Sequence, residues 1–177
     1  DALARGDKET AIALLVKIAD TEGLESRHYL QAWHFLRSLG VLPPRAEEKK
    51  LHGVVIELAW NGGLDLIVAY SDLKARYYNY SGAGVVWEHP DDSLDAVIHE
   101  LLDVGWAVAV KLAPWTGVRP AIPPQGHFRI NLLTPGGLRF GQGPTDALSS
   151  DPLAQPVFAA GQILMRELIK KVPRGKE

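Results

Sequence analysis

Few residues in this chain stand at spacings that could do chemistry. His99, Glu100 and Asp103 in HELLD place an imidazole and two carboxylates within about one helical turn. In a zinc-binding HExxH pair the second position is a histidine; here it is Asp103, and no third ligand follows at a suitable spacing. A solvated helix face accounts for these residues, and no metal is expected. Ser81 in NYSGAG precedes a glycine, but Ser-Gly between strands is turn chemistry and no GxSxG elbow occurs. Gly141-Gln142-Gly143-Pro144 lacks the Gly-Lys-Ser/Thr of a phosphate loop, and its glycines read as relief for a bending strand. No catalytic residue is assigned and no cofactor is called for. An enzyme, as a hydrolase of unknown type, ranks last among the readings.

Binding chemistry is better represented. Arg76, Tyr78 and Tyr80 alternate on one strand and form an aromatic-basic platform of the kind that stacks bases or anchors a protein. His127, Arg129 and Asn131 alternate on another strand, and Arg139 lies on its hairpin partner; if they share a face, they supply donors for an anion. Trp115 sits in a proline-rich stretch, 113–126, suited to packing over a sheet edge or core opening.

Composition narrows the partners. The 177 residues carry a net charge of -2, and the sequence pI is near 6.3. That balance disfavours nucleic acid, and the RNP1 signature is missing around the tyrosines. With no cysteine, disulfides and thiolate chemistry are excluded; a reducing, cytoplasmic setting is the expectation. No apolar run has the length of a membrane span. Asp1 in place of Met reads as a trimmed or processed start.

These residues need elements to position them. Asp7 caps a first helix, and a second runs over 25–39, with Gly40 to end it and Pro43-Pro44 to forbid continuation. Between 51 and 88, alternating apolar residues separated by Asn, Gly, Ser and Asp clusters describe an antiparallel meander. With Asp72 and Leu73 as the turn, Tyr70 lies opposite Ala75 and Val68 opposite Tyr77. A helix to Val104, closed by Gly105, precedes a short strand over 106–112. A hairpin follows, its three-residue loop Pro135-Gly136-Gly137 pairing Leu132 with Phe140 and Leu133 with Arg139. A last helix begins near Pro156; Gly161 on its inward stripe allows close approach of a neighbour.

The fold class is therefore α+β: a two-layer antiparallel sheet in meander-helix-strand-hairpin-helix order, with an N-terminal helical hairpin. Its parts are a hairpin appendage (1–44), a linker (45–50), the α+β domain (51–172) and a basic tail (173–177). The element order resembles profilin-like domains and type III secretion chaperone-like proteins. That likeness is of order alone, and without a matching motif it implies no activity. The leading functional reading is a non-catalytic protein-interaction module (adaptor, chaperone-like or immunity-type) with a protein partner or self-association. The alternative is a sensor for a small anionic ligand seated between the sheet and 113–126.

Overall fold

A computed structural model describes residues 6–172. The expected tail over 173–177 lies outside the described residues. Two N-terminal helices, α1 (Lys8–Asp20) and α2 (Ser26–Ser38), form the hairpin. Asp7 caps α1 by accepting the Thr10 N–H at 3.0 Å. Past α2, Gly40 adopts φ 86°, Gly40 N–H bonds Arg37 O, and Val41 N–H bonds Leu36 O. This left-handed cap turns the chain toward Pro43.

Strands β1 (Gly53–Trp60), β2 (Gly63–Tyr70), β3 (Ala75–Tyr78) and β4 (Gly84–Trp87) make the meander. Helix α3 (Asp95–Ala109) and the hairpin β5 (His127–Thr134) and β6 (Gly137–Pro144) follow. A short α4 (Thr145–Leu148) and the long α5 (Ala154–Lys170) complete the order. All six strands join one antiparallel sheet in the order β4-β3-β2-β1-β5-β6. The α+β class and the helical pair at the N-terminus are as the sequence implies.

One sheet face carries Val54, Ile56, Leu58, Ile67, Phe128, Ile130 and Leu132, buried beneath α3 and α5. The Phe128 and Phe158 rings stack there at 4.7 Å. The alternation of apolar residues on each strand produces this face, because successive side chains point to opposite sides. Helix α1 packs on α2, and α2 reaches the end of the sheet. Ser26 N–H bonds the Asp72 carboxylate at 3.0 Å, and Lys74 pairs with Glu25 at 2.7 Å. The linker makes a helical turn whose Glu48 O accepts the Gly136 N–H, tying it to the β5–β6 turn.

Four sequence expectations need correction. The β5–β6 turn is Pro135-Gly136, with Thr134 paired to Gly137, so Leu132 opposes Arg139 and Asn131 opposes Phe140. Arg139 thus falls on the helix side. It is held there by Leu112 O, by Glu48 at 3.0 Å and by Thr134 Oγ1 at 3.4 Å, so the apolar face can contain it. The β2–β3 loop has three residues, Ser71 to Leu73, with Tyr70 N–H bonding Lys74 O. Leu73 takes φ 61° while its side chain packs on the core, and Val68 therefore faces Arg76. A one-residue slip moves every side chain of a strand to the opposite face. The residues expected as a strand over 106–112 instead largely continue α3, which runs to Ala109. Finally, Gly105 does not end that helix; it is buried inside it, where a Cβ would come within 2.6 Å of Val54 Cγ2.

Gly161 does what its position implies. A Cβ there would lie 2.3 Å from Ile56 Cδ1, so both helices approach the sheet over a glycine. Alanine at 105 adds about 1 kcal/mol of helix propensity but forces overpacking worth about 1–3 kcal/mol. Gly105→Ala is expected to lower the unfolding free energy by up to about 2 kcal/mol in urea melts. Adding Val54→Ala should recover part of that loss through a favourable coupling in the double-mutant cycle.

Candidate functional site

Helices α3 and α5 pack on the first sheet face, not on the second. Residues 113–126 form a strap that crosses it instead. Trp115 N–H bonds Leu138 O on the β6 edge at 2.7 Å, and its ring meets Phe140 edge-on at 5.1 Å. At the far end Gly126 N–H bonds Ala59 O at 3.2 Å. Proline suits this path, since the strap needs few ladder hydrogen bonds and loses little entropy on ordering.

The strap is pinned by a buried charge cluster. Glu57 on β1, 4% exposed, faces Arg129 on β5, 1% exposed, across the pairing of those strands. Glu57 Oε2 lies 3.0 Å from Arg129 Nη1 as an ion pair, and Oε1 accepts from Arg119 Nη2 at 2.5 Å. Arg129 also donates to Gln142 Oε1 through Nε at 2.8 Å and Nη2 at 2.6 Å, and to the Pro120 and Ala121 carbonyls. Its guanidinium lies 5.5 Å from the Phe140 ring. A buried carboxylate and guanidinium are tolerable only with such full partnering.

Beside this cluster lie two openings. One, of about 440 Å³, runs under the strap, with Val55, Leu64, Leu66, Leu133 and Ile122 among its walls. The other, of about 650 Å³, lies between the α2 end and the strap, lined in part by His34, Arg37, Leu42, Arg45, Trp115 and Leu138. Arg37 is partly buried, and desolvation pulls its pKa below the usual arginine value. It donates to Pro135 O. Neither Arg37 nor Arg45 pairs with a carboxylate among the described residues.

The sequence-predicted residues are scattered across this frame. His127, Arg129 and Asn131 do share the strap face, while Arg139 is on the opposite one. The expected anion-binding set is therefore split, and Arg129 has its donors engaged internally. Arg76 and Tyr78 also face the strap side, two strands away beyond β1 and β2. Arg76 bonds Glu88 at 3.1 Å, and the Tyr78 ring lies against Gly84. Tyr80 lies beyond β3, 60% exposed, its N–H held by Asp65 at 2.7 Å. The same Asp65 accepts from Tyr77, whose pKa is pushed up to about 12 by burial and by that carboxylate. His99 and Asp103 lie exposed on α3.

Sequence reasoning missed Glu57, Arg119, Arg37 and Arg45. Glu57 had a signal: a carboxylate inside the apolar run VVIELAW needs a buried cation.

A third opening, of about 380 Å³, contains His52, Ser71, Ser26 and Tyr29 where α2 meets the sheet. Ser71 Oγ lies 3.5 Å from His52 Nδ1, too long for an activated nucleophile, and 2.9 Å from Ser26 Oγ. No carboxylate among the described residues hydrogen-bonds His52 to orient it as a base. These groups lock the hairpin to the sheet. Burial, and next the nearby Lys50 charge, press the His52 pKa below its ordinary value.

Comparison with family models, with curated proteins and with solved structures returns no match.

Two measurements probe this frame. Arg129→Met leaves Glu57 buried with Arg119 alone and should cost about 3–5 kcal/mol in urea melts, whereas pairing it with Glu57→Leu should restore most of the loss. For His52, the folded pKa is depressed, so the unfolded chain binds the proton more readily. Stability should therefore fall as pH drops below the unfolded value near 6.5, and His52→Phe should flatten that slope in thermal melts between pH 7.5 and 5.

Proposed function

We propose that this chain is a non-catalytic protein-interaction module that takes an acidic, apolar-bearing segment of a partner in the cleft between α2 and the strap. The observation that carries the reading is apolar surface left standing around a basic rim. Leu42 is 76% exposed, Trp115 48%, Val118 92% and Ile122 70%, all near the cleft or on the strap beside it. Exposed aliphatic and aromatic side chains grouped beside a cleft mark contact sites, and aromatic residues and arginine concentrate binding energy there.

Charge selects the segment. Glu48, the acidic group of the cleft, is engaged by Arg139, whereas Arg37 and Arg45 have no described carboxylate partner. A chain of net charge -2 thus presents a locally basic opening. A carboxylate arriving beside the partly desolvated Arg37 would gain a charge-assisted hydrogen bond in reduced dielectric. This supports the adaptor or chaperone-like reading over the sensor of a small anion, because an anion alone leaves the apolar rim uncovered.

The test uses a fluorescein-labelled peptide of alternating Glu and Leu, with a Lys-for-Glu counterpart. Fluorescence anisotropy should show binding of the acidic peptide that weakens with salt. Arg37→Ala and Arg45→Ala should each weaken it about tenfold, equivalent to about 1.4 kcal/mol, and Val118→Ser should also weaken it. Equal affinity for the lysine peptide, absence of binding, or tighter binding of a single-stranded oligonucleotide would contradict the proposal.

A further inference from the structure

Helices α3 and α5 seal the first sheet face with their inner sides, and their outer sides form a layer of a different character. Two contacts fix the relative direction of the helices. Lys171 Nζ, just past α5, donates to Ser93 Oγ, just before α3, at 2.6 Å. At the other end, Val108 of α3 shares a small opening with Leu153 and Ala154, where α5 begins. The pair is therefore antiparallel and side by side. Ile98, Leu101, Gly105 and Val108 turn one side of α3 inward, which leaves Glu100, Asp103 and Trp106 exposed. On α5, burial of Val157, Ala160, Leu164 and Leu168 leaves Ile163, Arg166, Ile169 and Lys170 exposed.

Charge divides this layer along its length. Helix α3 contains no lysine or arginine, and neither Glu100 nor Asp103 pairs with a cation among the described residues. On α5, Arg166 donates to Gln162 O at 3.2 Å and meets no described carboxylate, while Lys170 pairs with Glu167 of its own helix. Apolar side chains stand among these charges: Trp106 is 54% exposed, Ile163 43% and Ile169 46%. An acidic helix beside a basic one is complementary to itself. A two-fold axis along the groove between α3 and α5 lays each α3 on the partner's α5. With Ser93 beside Lys171, Glu100 falls level with the α5 turn that holds Ile163 and Arg166. We infer that this outer helix layer is a self-association face whose occupant is a second copy of the chain. Glu100–Arg166 pairs set the register, and Trp106 and the two isoleucines supply the apolar contact. A surface of one charge sign would match one helix and be repelled by the other. The face lies across the sheet from the strap, so pairing leaves the strap side uncovered.

The test is sedimentation velocity on the intact chain across the micromolar range. A reversible dimer should form and loosen as salt rises. Glu100→Arg and Arg166→Glu should each raise the dimer Kd about tenfold or more, because each reversal sets like charges together at two symmetric places. An equimolar mixture of the two variants restores both pairs and should dimerise as the unsubstituted chain does. Trp106→Ser should weaken the dimer about tenfold. Both reversed positions are exposed, so far-UV circular dichroism of each variant should match the parent and separate lost association from lost folding. A chain that stays monomeric at every concentration would overturn the inference. So would a dimer that survives both reversals, or folded variants whose mixture stays monomeric, since association would then use another surface or none.

Discussion

A carboxylate in the middle of a sheet governs how the second face of this protein is built. Glu57 occupies a central strand among apolar neighbours and is almost wholly withdrawn from solvent. Left alone, its desolvation would go uncompensated and the strand would not pack. Arg129 on the adjacent strand answers it, but a buried guanidinium brings five N–H donors of its own. Gln142 and the strap carbonyls absorb the remainder, so the strap is required by the charge pair it covers. The proline-rich segment, the edge contact at Leu138 and both openings beside it follow from satisfying that one pair.

The two faces thus use different physics. On the helix side the sheet is sealed by apolar packing, and Gly105 and Gly161 bring α3 and α5 down onto Val54 and Ile56. On the strap side, polar connections hold a thin cover, and they leave space between their attachment points. A sealed face stabilises the fold; a loosely roofed face leaves binding surface. The helical hairpin joins the same architecture at the sheet's end through Ser26, Asp72, Glu25 and Lys74, and the other end of α2, at His34 and Arg37, forms one wall of the basic cleft.

What was readable in the sequence was whatever local geometry decides. Asp7 and Gly40 announce helix ends because a cap or a left-handed residue acts within one turn. Strand alternation separates the faces because a pleated strand has a period of two. Where distant partners decide, reading failed. Arg139 looked like a member of the polar face, and Pro135-Gly136-Gly137 looked like a three-residue loop. Both inferences reversed because Leu112 O and Glu48, far along the chain, make a home for that guanidinium at the helix-side rim. Leu73 adopts a left-handed conformation that its residue type resists, compensated by packing on the core. Gly105 looked like a terminator because the nearness of Val54 cannot be seen from the helix alone. The candidate site was legible in Trp115, Arg129 and Asn131; the basic rim was not, since Arg37 and Arg45 meet the strap only through the tertiary fold.

The account stands on the strap lying across the sheet face that bears Glu57 and Arg129. Because the chain has no cysteine, Ile122→Cys provides a unique attachment point for a nitroxide spin label. Paramagnetic relaxation enhancement should then broaden the amide signals of Val55, Leu66 and Asn131 strongly while sparing those of α1. Sharp signals at all three positions while the nitroxide remains paramagnetic, together with a freely tumbling EPR spectrum of the label, would show that the strap does not cover this face.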